Sequence, residues 1–288
     1  MILPPFEYVE CTSIEEVIDA LGDGDSDRDA RIVAGGTVVV PMMKHDLLRP
    51  DVLVSLERVA GLEGVEQSNG EITIGALARH REVSRSESVR EAAPMLAQAC
   101  GLVASPVIRS MGSLGGNLCY GESASDPSPV LLALNARLHV SGPNGTRTVP
   151  IEDFFVGFYE TAVGPEEVLT HVEIPRQPRE SRWTYRKWTP RAREDKPLIG
   201  LAATIRPDGA ARLAVGGINP TPVLLGSASV RASDSDLSER EVNDIADAAA
   251  AEVDPFEDLQ GSEEYRREMV RVWVGRVLRA LREVEVDR

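Results

Sequence analysis

Two stretches carry residues whose types and spacing can do chemistry. In the first, Gly112, Gly115 and Gly116 crowd five positions with residues that lack a Cβ, so the backbone can turn sharply and press N–H groups against an oxyanion, with Asn117 ending the turn. Nine residues on, Asp126 precedes the apolar run 130–134, which reads as a buried helix with Asp126 at the N-cap and Pro127 at its first position. A carboxylate placed there can also accept hydroxyl groups from a sugar. An ordinary glycine turn followed by a capped helix explains this segment equally well.

The second stretch is residues 31–44. Ile32, Val33 and Ala34 form a short apolar strand, Gly35 and Gly36 permit a turn, Thr37 can cap, and a helix over 38–48 follows with Pro41 in its first turn. Free N–H groups and a positive helix end suit a phosphate. The glycine spacing is neither Gly-x-Gly-x-x-Gly nor Gly-x-x-x-x-Gly-Lys-Ser/Thr, which removes the Rossmann dinucleotide and P-loop readings. Two separate anion loops point to a diphosphate ligand.

The elements that must position these loops follow from hydrophobic periodicity. The first 58 residues read as a β-α-β-α-β lobe: a strand near 6–9, a helix capped by Thr12 or Ser13, then the strand and helix above and a strand over 52–56. Between strand and helix 2 of this lobe the loop lies at a strand's carboxyl end, where open α/β sheets bind ligands. The stretch 22–29 is acidic and solvated. Residues 59–177 read as a mixed lobe, with a hairpin around Asn69-Gly70, helices over 79–84 and 92–100, a second hairpin around residues 142–145 and a strand over 168–174. Residues 178–288 open with the alternating strand 183–188, continue through strands over 201–205 and 211–216 as an antiparallel sheet, and, after an exposed linker at 233–236, end in helices over 238–251 and 262–286. The fold class is α+β, a small parallel lobe plus a mixed lobe, then an antiparallel sheet with helices.

Composition narrows the partners. A formal charge of −15 over 288 residues opposes binding to nucleic acid or an anionic membrane. Cys11, Cys100 and Cys119 lack Cys-x-x-Cys spacing, so no cluster of the chain's own is expected; Cys119 reads as an inert buried thiol, and the four histidines are too scattered to ligate a metal. The absence of a leader or long apolar run leads to the expectation of a soluble, cytoplasmic protein.

Several ordered motifs together carry a family resemblance. Val33-Ala34-Gly35-Gly36-Thr37 with Pro41 and Lys44, Ser113-Leu114-Gly115-Gly116-Asn117, Asp126, Gly157-Phe158-Tyr159-Glu160-Thr161, Glu167-Val168-Leu169 and Lys187 before Arg191 resemble the FAD-binding medium subunit of molybdenum hydroxylases of the carbon monoxide dehydrogenase and xanthine dehydrogenase type. The resemblance implies a two-lobed FAD-binding fold and no catalytic acid or base in this chain. It implies FAD contacts from Val33, Ala34, Gly35, Gly36, Thr37, Val38, Val39 and Val40, from Ser113, Leu114, Gly115, Gly116 and Asn117, and from Val103, Asp126, Leu169 and Lys187, the last near the isoalloxazine ring. It also implies partners: a large subunit with a molybdenum cofactor and a small subunit with [2Fe–2S] clusters, the three-subunit unit being doubled, with electrons leaving through FAD to an external acceptor. The family often places an aromatic residue against the flavin in the loop after Lys187, whereas here that loop is Arg193-Glu194-Asp195-Lys196-Pro197, so the ring's shielding is unassigned. Two other readings compete: a self-sufficient FAD-dependent oxidase or reductase with its own substrate cavity, and a nucleotide-binding assembly module without redox chemistry.

Overall fold

The computed structural model describes residues 3–22, 28–68 and 70–283. Most of the acidic stretch, Asn69 of the expected hairpin turn and the end of the expected last helix at 284–286 lie outside them.

The first lobe is a three-stranded parallel sheet in the order β1 (Glu7–Glu10), β3 (Val52–Ser55), β2 (Ala30–Val33). Its first helix, α1 (Ile14–Leu21), starts where Ser13 Oγ accepts the Glu16 N–H at 3.2 Å, which decides between the two candidate caps. Val17, Ile18 and Leu21 then pack onto β3. The second helix, α2 (Val39–Lys44), is shorter than its apolar pattern predicts. Asp46 takes φ +61°, Leu47 N–H reaches Met42 O at 2.9 Å and Asp46 N–H reaches Met43 O at 3.2 Å, a Schellman ending that stops the helix before Leu48. Thr37 does not cap it: the N-cap position is Val38, with no side-chain hydrogen bond.

The second lobe holds a five-stranded antiparallel sheet, β4 (Val65–Ser68), β5 (Glu71–Gly75), β10 (Val168–Pro175), β6 (Arg137–Gly142), β7 (Gly145–Pro150), and a small hairpin of β8 (Phe155–Gly157) and β9 (Glu160–Thr161). Between β5 and β6 run six short helices: α3 (His80–Arg85), α4 (Glu87–Ala92), α5 (Pro94–Leu102), α6 (Pro106–Met111), α7 (Leu114–Cys119) and α8 (Pro127–Ala133). The glycine segment is therefore a helix from Leu114 onward and not a loop. Ser113 Oγ caps it by accepting the Gly116 N–H at 3.2 Å. Every residue of α8 is buried, and its Val130, Leu131 and Leu132 each gain about 1.5–3 kcal/mol from burial.

The last segment is a four-stranded antiparallel sheet, β11 (Arg182–Trp188), β12 (Ile199–Ile205), β13 (Ala211–Gly216), β14 (Val223–Leu224), covered by α9 (Gly226–Ser233), α10 (Glu239–Glu252) and α11 (Glu263–Glu283). Ser238 and Glu241 form a capping box at the start of α10. Part of the expected linker is structural instead: Ser233 ends α9 and its Oγ accepts the Ala211 N–H at 2.8 Å. Helix α8 also packs on β12 and β13, which sets its N-terminal end, and so Asp126, beneath the first strand of this sheet.

Candidate functional site

The two glycine stretches meet because they lack side chains. A Cβ on Gly35 would lie 1.8 Å from the Met111 carbonyl oxygen, and one on Gly115 would lie 2.6 Å from the Ala76 Cβ. The first lobe thereby presses its loop onto the end of α6, and α7 presses onto the strand end after β5. Arg79 Nη1 donates to the same Met111 oxygen at 2.6 Å, closing the seam.

The N–H donors of the two stretches are used differently. Around Gly115 they are spent inside the protein: Leu114 N–H goes to Ala78 O at 2.9 Å, Gly115 to Ala76 O at 2.8 Å, Gly116 to Ser113 Oγ and Asn117 to Ser113 O at 3.0 Å. These glycines serve close packing, which corrects the expectation that their backbone cradles an oxyanion. In contrast, the N–H groups of residues 35–38 donate to no group of the chain among the described residues. Gly36 at φ +66° turns the chain there, so this run of donors is available to a ligand.

That run opens on a cleft of about 530 Å³. Of the expected site residues, Ala34, Gly35, Gly36, Thr37, Val38, Val39, Val103, Ser113, Gly115, Gly116, Asn117, Asp126, Leu169 and Lys187 line it. Val33, Val40 and Leu114 do not; Val33 and Leu114 are buried in hydrophobic clusters. Leu169 reaches the cleft from β10 beside a register shift, and Val103 from the end of α5.

Asp126 stands at the N-cap position of α8 but caps nothing, its φ and ψ of −68° and −44° being helical. Its carboxylate turns away to a buried cluster instead. Oδ1 accepts from Tyr185 Oη at 2.7 Å and Oδ2 from Lys187 Nζ at 2.9 Å, with both charged side chains only 5% exposed. Burial pushes the Asp126 carboxyl above its ordinary range, and the adjacent ammonium opposes that shift. Burial, aided by the Asp126 charge, pushes the Tyr185 hydroxyl well up, so it stays a neutral donor. Lys187 Nζ also donates to Leu102 O at 3.0 Å, which leaves one of its three N–H groups for a ligand in the cleft.

Four further residues belong to this site. Tyr185 was legible in principle, because the alternation of β11 puts it on the same face as Lys187. Tyr120 lines the cleft one helical turn after Gly116 and Asn117; reading 114–119 as a helix would have found it. Lys196 Nζ lies 6.0 Å from the centre of its ring and pairs with Glu122, so the loop without an aromatic residue of its own packs on one. Buried His80 has no sequence signal; its Nδ1 has no partner, and burial beside the Arg109 charge lowers its pKa to about 4. Cys119 is exposed at the cleft and not buried as expected. Among the described residues no group of acidic, histidine or cysteine side chains is arranged to hold a metal ion.

Comparison with known proteins agrees with this geometry. Residues 4–177 match the FAD-binding domain in molybdopterin dehydrogenase, and residues 183–281 match the carbon monoxide dehydrogenase flavoprotein C-terminal domain. The chain is 32% identical to the carbon monoxide dehydrogenase medium chain of Hydrogenophaga pseudoflava, over 97% of this chain and 98% of the relative. It is also 32% identical to the alpha subunit of the 6-hydroxypseudooxynicotine dehydrogenase complex of Paenarthrobacter nicotinovorans, over 96% and 94% of the two chains. A solved structure of the Hydrogenophaga pseudoflava carbon monoxide dehydrogenase superposes with a TM-score of 0.93 at 32% identity, covering 98% of each chain. This chain therefore belongs to the FAD-binding medium subunits of the molybdenum hydroxylase family.

Proposed function

We propose that the cleft holds FAD in an extended pose, its diphosphate on the N–H groups of residues 35–38 and its isoalloxazine ring toward Lys187. The observation that supports this is the pairing, in one cleft, of a run of unspent backbone donors with a buried, spare ammonium N–H. The residues fit the group: an anion satisfies the donors at one wall, and a positive charge stands at another. Ala34, Thr37, Val39, Ser113, Gly116 and Asn117 would line its middle, and Val103, Leu169 and Tyr120 would pack on apolar parts of the cofactor. Bound flavin would supply the chemistry of accepting and releasing electrons.

The protein's own part is orientation and electrostatics. Asp126 and Tyr185 fix the Lys187 ammonium in place. That charge favours electron density on the ring portion nearest it. With both carboxylate oxygens already engaged, Asp126 acts through Lys187 and Tyr185 more than as a binder of ribityl hydroxyls. In the assembly we propose, a large molybdenum-cofactor subunit oxidises substrate, a small [2Fe–2S] subunit delivers electrons to this flavin, and an external acceptor removes them; the unit is doubled and works in the cytoplasm. The three units 1–58, 59–177 and 178–288 are proposed as its domains. Among the described residues no helix is long and apolar enough to cross a membrane.

The test is the visible spectrum of the purified chain before and after adding FAD and then dithionite. Bands near about 370 and 450 nm that bleach on reduction are expected. A folded chain that shows no such bands with excess FAD would sink this reading.

A further inference from the structure

The wall that Val103, Ala104 and Ile108 present to the flavin cleft has a second side. There the segment 101–110 lines another cavity, of about 820 Å³, with Arg81 and Arg85 of α3, Arg90 of α4, Arg109 of α6 and Arg193 of the loop after β11 around it. No acidic residue lines this groove. Among the described residues, no carboxylate lies within 4.0 Å of any of the five guanidinium groups.

What sets the groove apart is that five such arginines converge on one concavity of an acidic chain. Acidic residues outnumber basic ones 46 to 31, and several arginines elsewhere pair with them: Arg147 with Glu167, Arg271 with Asp247 and Arg279 with Glu239. In the groove the arginines meet only neutral acceptors. Arg109 Nη1 donates to Val103 O at 2.8 Å and Ala104 O at 2.6 Å, Arg90 Nε to Ser84 O at 3.1 Å, and Arg81 Nη1 to Ser110 Oγ at 3.4 Å. Such bonds orient the groups and leave their charge uncompensated. Five like charges from four elements repel one another around a concavity, and an anion seated among them relieves that repulsion. Guanidinium forks match phosphate oxygens in pairs, which a single chloride cannot reproduce.

We propose that this groove is a binding site for a phosphate-bearing small molecule carrying at least a diphosphate. It adjoins the flavin cleft directly. Leu102 lines the groove while its carbonyl accepts from Lys187, and Arg193 in the groove is followed by Glu194, Asp195 and Lys196 in the cleft. An anion bound there acts on the wall that holds Lys187.

The test is calorimetric titration of the FAD-loaded chain at about 50 mM salt, where surface charges are only moderately screened, with inorganic pyrophosphate and with ADP as probes. Saturable binding is expected, weakened about tenfold or more when Arg85→Gln and Arg90→Gln are combined, with flavin content and melting temperature unchanged. Tighter binding of ADP than of pyrophosphate identifies a nucleotide as the ligand class; equal binding identifies a free polyphosphate. Absence of saturable binding for both probes overturns the proposal, as does binding that ignores the double substitution. Binding by the free chain that vanishes in the assembled complex also overturns it, and assigns the groove to an acidic face of a partner subunit. Because the readout is the arginine substitution, a chain that proved to bind no flavin would still show whether the groove takes a diphosphate.

Discussion

Replacing Lys187 with methionine keeps most of the side chain's length and removes the ammonium. Asp126 is then left buried with Tyr185 as its one remaining side-chain donor. Breaking a buried ion pair by removing one partner costs about 3–5 kcal/mol, and at 5% exposure on each side this pair meets that condition. The lower figure corresponds to a folding constant smaller by a factor on the order of 100. The loss must also depend on pH. Burial already holds Asp126 above the usual carboxylate range and Lys187 opposes that, so the substitution raises it further. The unfolded chain titrates near about 3.9, so between that value and the raised folded value the native state binds more protons. Stability of the variant therefore falls as pH rises through this window, and the penalty is smallest at its acid end; the wild type has the same sign with smaller amplitude. Urea unfolding near about pH 5 and pH 8, for the wild type, Lys187→Met, Asp126→Asn and the double variant, measures both the loss and the coupling. A Lys187→Met penalty under about 1 kcal/mol and equal at both pH values would refute the claim that the pair is buried and mutually dependent.

Other substitutions separate packing from binding. Gly115→Ala sets a Cβ 2.7 Å from the Ala76 carbonyl oxygen and should cost about 1–3 kcal/mol with loss of FAD retention on gel filtration, whereas Gly101→Ala, whose Cβ meets Ser84 at an ordinary 3.7 Å, should hold FAD and melt no lower than the wild type. His80 titrates at about 4 when folded and near about 6.5 when unfolded, so it costs stability as pH falls through that interval. Compared with His80→Asn, the wild type should lose on the order of 3 kcal/mol between those two pH values, and parallel unfolding curves for the two proteins would place His80 in water.

What the sequence made legible was local. Ser13 caps the helix it was a candidate for, the helix expected over 238–251 forms as α10, β6 and β7 pair around Gly142 and Gly145, and the alternation of β11 survives as a strand. Residues 114–119 were illegible as a helix for a physical reason. Two glycines lower helix propensity by about 1 kcal/mol each, and the acceptors that compensate, Ala76 O and Ala78 O, sit in a segment distant in sequence. The glycines mark a close approach in either reading, so position was predictable and purpose was not. Residues 35–38 went the other way, because a loop whose donors stay unspent needs no distant partner to be recognised.

Charge is harder to place than backbone. Asp126 looked like a cap because the next residues are Pro127 and an apolar helix, yet its partners are 59 and 61 residues away on β11. Nothing within one turn of Asp126 announces them. They become predictable only once the alternation of β11 is combined with the placement of α8 beneath that sheet, which is a statement about topology. The consequence bears on how the cleft works. Asp126 lies within the part matched by the FAD-binding domain and Lys187 within the part matched by the flavoprotein C-terminal domain, so the buried pair joins them. Lys187 can present its spare N–H to the cleft only while Asp126 and the Leu102 carbonyl hold the other two. The cleft-facing charge is thus a property of the contact between the two parts, and any displacement of β11 relative to α8 changes the electrostatics of the cleft without touching a residue of the 35–38 loop.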